Sequence, residues 1–272
     1  MNDSRKYRLK KLAEIKCFLL DMDGTFYLGN HLLPGAKEFI NLVFQKNIPF
    51  LFLSNNSSKN EVSYQKKLHQ LGFEIGIDQI LTSGEAAAQF LKKKYPQART
   101  FLLGTPPLKK TFVKHGFLLE EENPEVIVLG FDTTFTYKKI WRFCDLVRKG
   151  LPYIATHPDI NCPTETGFMP DIGSTIEFIA ASTGRRPDLI IGKPNRPITL
   201  AIEERTHVPL RSTAMVGDRL YTDIAMGSLG LITILVLSGE TKKQDLENST
   251  IKPDLIYSDL AELYKDLKEI HH

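Results

Sequence analysis

The sequence predicts an α/β protein built on a doubly wound, mostly parallel sheet, with a second α/β segment inserted into it. Three observations carry that expectation. Short apolar runs read as continuous Leu, Ile and Phe rather than alternating, as in strands covered by helices on both faces. Segments with helical spacing of apolar residues separate these runs. Several runs end in Asp, Ser, Asn or Gly-Lys, at the strand ends where open sheets of this kind bind ligands.

In chain order, Cys17 to Leu20 is the first buried strand. Ala36, Phe39, Ile40 and Val43 follow at helical spacing, then Pro49 to Leu53 as a second strand. Val62, Leu68 and Leu71 precede Ile80 and Leu81, and Ala86, Ala87, Phe90 and Leu91 mark another helix. Phe101 to Leu103, Val126 to Leu129 and Tyr153 to Ala155 read as strands, and Tyr137 to Arg148 as a helix with Ile140, Phe143, Cys144 and Val147 on one face. Trp141, flanked by Lys138, Lys139 and Arg142, is expected half-buried on that helix. The stretch from His157 to Gly173 reads as turns. Strands resume at Leu189 to Ile191, Ala214 to Val216 and Ile232 to Leu237. No internal repeat interrupts this order, so a core of residues 1–80 and 187–272 carrying an insertion at 81–186 is the expected division.

The 272 residues are 42% hydrophobic and 25% charged, enough to bury a core without disulfides or structural metal. Lys and Arg number 35 against 32 Asp and Glu, and a net charge of +3 gives no argument for a nucleic-acid or membrane partner. The basic cluster Arg5, Lys6, Arg8, Lys10 and Lys11 is expected to be a solvated leader, with a weak polyanion contact as the alternative. Three widely spaced cysteines, Cys17, Cys144 and Cys162, suit a reducing compartment. With no signal-peptide core and no apolar stretch longer than 231–237, the expected location is cytoplasmic. His271 and His272 close the sequence.

Four strand ends collect the chemistry: Asp21, Asp23 and Thr25 after the first, Ser54 and Asn55 after the second, Lys193 after Leu189 to Ile191, and Asp218 with Asp223 after Ala214 to Val216. Singly, each has an ordinary explanation as a turn or helix cap. Together they supply carboxylates, hydroxyls and one fixed cation, the requirements of phosphoryl transfer. Carboxylates converging on one point repel one another unless a divalent cation lies among them, and Mg²⁺ suits oxygen ligands.

These residues resemble the haloacid-dehalogenase (HAD) superfamily, in particular its class IIA branch of NagD-like and para-nitrophenyl phosphatases. The four motifs stand as DMDGTFYLGN at 21–30, LFLSNNSS at 51–58, GKP at 192–194 and VGDRLYTDI at 216–224. LGFDTTFTYKKI at 129–140 and ATHPDINCPTETGFMPDIGS at 155–174 resemble the signatures of the branch's cap, and VLSGET and KPDLIYSDLAEL fit its tail. The resemblance implies a Rossmann-like HAD core with a C2-type α/β cap. It also implies Asp21 as nucleophile, Asp23 as general acid and base, and Mg²⁺ held by Asp21, Asp218 and the backbone carbonyl of Asp23. Ser54, Asn55 and Lys193 would bind phosphate, with Thr25 and Asp223 supporting the centre. His157 and Asp159 would be cap contacts to the substrate, although a surface or capping role is the ordinary fate of such a histidine.

Two departures stand out. His157 occupies the place of the usual Asn in Thr-Asn-Pro-Asp, and Asp171 that of the first Gly in Pro-Gly-x-Gly-Ser, where a left-handed backbone would still accept Asp. The stretch from Ala225 to Thr233 is also one residue short, which tightens the turn after Asp223. The implied activity is hydrolysis of small phosphorylated metabolites, with a homodimer through the cap. A phosphotransferase or mutase using the same intermediate and a non-enzymatic phospho-acceptor module are the alternatives.

Overall fold

A computed structural model describes residues 3–164 and 166–271, so His272, like Met1, Asn2 and Glu165, lies outside it. The elements run α1 (Asp3–Ala13), β1 (Cys17–Leu20), β2 (Tyr27–Leu28), β3 (His31–Leu32), α2 (Ala36–Gln45) and β4 (Phe50–Ser54). They continue with α3 (Glu61–Gln70), β5 (Ile80–Thr82), α4 (Ser83–Lys94), β6 (Thr100–Leu103), α5 (Pro106–Lys114), β7 (Val126–Leu129), α6 (Tyr137–Arg148) and β8 (Tyr153–Ala155). Then come β9 (Asn161–Thr164), β10 (Gly167–Pro170), α7 (Ile172–Thr183), β11 (Leu189–Ile190) and α8 (Pro197–Thr206). The chain ends with β12 (Thr213–Gly217), β13 (Ile232–Val236), α9 (Asp245–Asn248), β14 (Leu255–Tyr257) and α10 (Leu260–Ile270).

Contacts divide the chain into two compact units, Met1–Leu53 with Ile202–His272 and, between them in sequence, Ser54–Ala201. The expected insertion, 81–186, lies inside the second. In the first unit, parallel strands follow the order β14-β13-β12-β1-β4. Every residue of β1, β12 and β13 is buried, as the continuous apolar runs require. Edge-to-face pairs fix the packing, Phe18 on Phe39 at 5.3 Å and Phe26 on Phe52 at 4.9 Å. In the second unit β11-β8-β7-β6 form a parallel sheet. Ile127, Leu129, Phe143, Tyr153, Ile176 and Ile179 belong to its core.

The structure corrects four sequence expectations. The basic N-terminus is no solvated leader: α1 docks on α10, with Arg8 2.9 Å from Glu262 and 3.3 Å from buried Asp266, and Arg5 2.5 Å from Glu269. Arg8 also lies 5.2 Å above the Tyr257 ring. Its positive charges answer acidic residues over 250 positions away, a relationship no local pattern displays. The stretch from His157 to Gly173 is not merely turns: β9 and β10 pair as an antiparallel hairpin, and α7 starts at Ile172. Asp171, at φ −113°, is extended rather than left-handed and caps that helix. Trp141 is 63% exposed because Ile140, Phe143, Cys144 and Val147 take the core face of α6. The segment after Asp223 is a 3-10 turn, Ile224–Leu229, closed by Gly230 at φ +94°.

Candidate active site

In the first unit, β1 and β12 are neighbouring parallel strands in register, Leu20 opposite Val216, so Asp21 and Asp218 emerge at adjacent carboxyl ends. The Asp21 amide donates to the Val216 carbonyl at 2.9 Å, which carries the pairing to the edge of the site. Asp223 returns to the same place because its carboxylate accepts the Arg219 amide at 3.1 Å, tying the loop into a short turn. One carboxylate oxygen from each of Asp21, Asp218 and Asp223 lies within 4.8 Å of the others. The Asp23 side chain is not part of this cluster; its backbone bridges to Tyr27.

Asp218 is 1% exposed. It accepts the Glu240 amide at 2.7 Å and the Thr25 hydroxyl at 3.2 Å. Burial first, and then the charge of Asp223, push its carboxyl up to about 6; the Arg219 charge and the Glu240 N–H oppose the shift without cancelling it. The wall behind it is backbone. A Cβ on Gly239 would come within 2.0 Å of Asp218 Oδ2, and one on Gly24, at φ +93°, within 2.5 Å. Ser238 donates to the Gly24 carbonyl at 3.0 Å, and Arg219 meets Glu240 at 3.0 Å. Gly239 and Glu240 were not expected as parts of the site; their only signal was the SGE turn after β13.

In the second unit, β4 ends on Ser54, whose hydroxyl accepts the Asn56 amide at 3.2 Å and pairs with the Tyr64 hydroxyl at 3.3 Å. Helix α3 is capped by Asn60, so neither Ser54 nor Asn55 serves as that cap. The Asn55 carboxamide instead accepts the Lys193 amide at 2.8 Å and donates to the Lys193 carbonyl at 3.0 Å and to Asp159 at 2.7 Å. Lys193 is 1% exposed. His157 is neither a surface residue nor a cap: it is fully buried, with Nε2 3.0 Å from Asp171. Asn55, Asp159 and Lys193 are thus brought together here, as Asp21, Asp218, Asp223 and Thr25 are in the first unit.

The acidic cluster can hold a divalent metal ion: its donors are all oxygens, and burial together with the Asp223 charge already pushes the Asp218 carboxyl up.

Comparison with known proteins agrees with this construction. Residues 18–118 match the family described as haloacid dehalogenase-like hydrolase, and residues 190–263 the one described as HAD-hydrolase-like. The chain is 34% identical to acid sugar phosphatase of Staphylococcus saprophyticus over 260 residues, 95% of this chain and 100% of that protein. It superposes on 4-nitrophenylphosphatase from Thermotoga maritima with a TM-score of 0.91 and 50% identity, over 94% of this chain and 98% of that one. For NagD from Escherichia coli K-12 the TM-score is 0.84 and the identity 30%, over 91% and 98% of the two chains. A doubly wound α/β fold with this acidic strand-end cluster and these relatives defines a haloacid-dehalogenase-type hydrolase. Within that superfamily the chain belongs to class IIA, the NagD-like branch of phosphatases.

Proposed function

We propose that the protein is a Mg²⁺-dependent phosphomonoesterase that hydrolyses small phosphorylated metabolites through an aspartyl-phosphate on Asp21. The observation that carries this reading is the cluster of Asp21, Asp218 and Asp223 at neighbouring strand ends. Sugar phosphates, nucleotides and aryl phosphates are the substrate classes, the first and last supported by relatives called acid sugar phosphatase and 4-nitrophenylphosphatase.

Asp21, Asp218 and the Asp23 carbonyl would hold the cation, with Asp223 steadying the set. When bound, the cation offsets the repulsion between a carboxylate nucleophile and a phosphate dianion. By the family resemblance, Ser54 and Lys193 would be the residues that bind the phosphoryl oxygens. A carboxylate oxygen of Asp21 attacks phosphorus as the bond to the leaving oxygen breaks, and Asp23 gives that oxygen its proton. Asp23, now ionised, takes a proton from water; the water oxygen attacks the same phosphorus, releasing Asp21 and inorganic phosphate.

Residues 81–186 act as the cap that selects the leaving group, a role supported by the strands β6, β7 and β8 and the hydrophobic cluster they carry, with β11 just beyond them completing the sheet. The exposed Tyr137, Trp141 and Phe178 support a homodimer formed through this segment. Free thiols at Cys17, Cys144 and Cys162 support cytoplasmic residence. Among the described residues no helix is long and apolar enough to cross a membrane.

The test is a panel of phosphorylated metabolites assayed with and without Mg²⁺, reading inorganic phosphate and phosphorylated acceptor separately. Mg²⁺-dependent phosphate release is the expected result. Transfer to a sugar hydroxyl without phosphate release would replace hydrolysis by phosphotransfer, and a long-lived phosphoprotein with no turnover would indicate a phospho-acceptor module.

A further inference from the structure

In the second unit every side-chain polar atom of Asn55 and His157 has a protein partner. An Asn side chain has two N–H donors and one carbonyl. In Asn55 one N–H goes to Asp159, the other to the Lys193 carbonyl, and the side-chain carbonyl accepts the Lys193 N–H. The carboxamide therefore grips the main chain of Lys193 from both sides. The backbone carbonyl of Asn55 accepts the hydroxyl of Ser83, which lies 3.3 Å from His157 Nδ1. Nδ1 is also 3.1 Å from the Thr156 hydroxyl.

On the other side of the ring, Nε2 faces Asp171 Oδ1 at 3.0 Å, and since a carboxylate only accepts, Nε2 carries the proton. The same Asp171 oxygen accepts the Ile172 amide at 2.6 Å and so fixes the start of α7. The Asp159 carbonyl accepts the Gly173 amide at 2.7 Å, closing the loop onto that helix. There is no slack in this arrangement. A Cβ on Gly173 would meet the Pro158 carbonyl at 2.4 Å, and one on Gly192 would meet Asn55 Oδ1 at 2.6 Å. The nearest oxygens and nitrogen of His157, Asp159 and Asp171 fall within 4.8 Å of one another, but the His157 to Asp171 separation is that of a hydrogen bond.

We propose that Asn55 is a positioning residue that clamps Lys193, held in place by Asp159 at its side chain and by Ser83 at its backbone carbonyl, with the His157–Asp171 pair fastening the loop that carries Asp159. The inference rests on the reading of Lys193 as a phosphate-binding residue. It replaces the expectation that Asn55, His157 and Asp159 touch the substrate. A buried lysine with a flexible four-carbon stem binds a phosphoryl group well only where its backbone is fixed, and here the fixing group is neutral, so it does not compete for the anion.

The test compares Asn55→Ala, Ser83→Ala and His157→Gln with Lys193→Met in the full chain. His157→Gln keeps a donor for Asp171 while losing the ring that spans Thr156 and Asp171, and Ser83→Ala removes the hydroxyl on the Asn55 carbonyl without leaving a buried charge unpaired. Three phosphomonoesters with chemically different leaving groups are assayed for kcat and KM, inorganic phosphate is measured as a competitive inhibitor, and Tm is recorded. Each clamp variant should weaken inorganic phosphate and lower kcat/KM by a common factor, roughly 10- to 100-fold, with selectivity among the three esters held within about twofold.

A factor that differs among the esters would make these residues substrate contacts and overturn the proposal. A lowered Tm with unaltered kinetics would make them merely structural. Stoichiometric transition metal in the purified protein, lost in His157→Gln, would make the group a metal site instead. If Lys193→Met leaves phosphate affinity unchanged, the reading of Lys193 itself fails; if Lys193→Met weakens phosphate and Asn55→Ala does not, the clamp alone fails.

Discussion

The Glu240 amide and the Asp218 carboxylate are joined at 2.7 Å, and the adjoining Gly239 leaves a Cβ no room against the same oxygen. The loop after β13 therefore forms one wall of the acidic centre. Gly239→Ala should push Asp218 aside. The expected outcome is a loss of about 1–3 kcal/mol in stability together with weaker divalent-cation affinity. Isothermal titration with Mg²⁺ beside a denaturation curve checks both; unchanged Mg²⁺ affinity would remove this loop from the site.

Asp218 also makes stability depend on pH with a definite sign. Its folded carboxyl titrates at about 6 against 3.8 for the ordinary group, so the metal-free folded chain holds an extra proton between those values. Its contribution is fully present below about pH 4 and is lost as pH rises through about 6. Asp218→Asn should therefore stabilise the metal-free protein at pH 7.5, by about 1–3 kcal/mol. The gain should vanish toward pH 4, and it should shrink when Mg²⁺ is added, since only the parent has the full ligand set. Thermal melts of both proteins from pH 4 to 8 read the difference; a constant offset would refute it.

Asp23→Asn separates proton transfer from attack. A general acid contributes roughly 10²- to 10⁴-fold where the leaving oxygen needs a proton, and much less for a phenolate that departs unaided. The variant should thus lose far more activity on a sugar phosphate than on 4-nitrophenyl phosphate. Equal losses on both would remove Asp23 from that role.

Arg8 illustrates a contribution to stability without one to chemistry. Its removal takes from the buried Asp266 its nearer cation, at 3.3 Å, and leaves it Arg5 at 3.9 Å. Arg8→Ala should cost about 1–3 kcal/mol, a few degrees in Tm, while kcat stays at the parental value. A melting curve and one saturating assay are sufficient.

Much of this molecule was legible in its sequence because a parallel sheet buried on both faces writes itself as unbroken apolar runs, and because its ligands collect where those runs end. Asp21 and Asp218 were found that way, and α6 was read to the residue from four apolar positions. What stayed hidden depended on partners distant in sequence. Helix α1 has too little apolar character to announce itself; its register is set by Glu262 and Asp266. The hairpin of β9 and β10 is mostly exposed and alternates nothing, so turn residues dominated its pattern. His157 and Asp171 looked like two unrelated departures, and only their 3.0 Å contact makes them one feature.

The central claim is that Asp21 becomes covalently phosphorylated during turnover. Acid quenching of the protein during steady-state hydrolysis, followed by peptide mass spectrometry, tests it most directly. A phosphoryl group on the peptide containing Asp21, absent from Asp21→Asn and lost on chasing with excess unlabelled substrate, is the predicted result. Full turnover by Asp21→Asn, or phosphate carried on another residue, would contradict it.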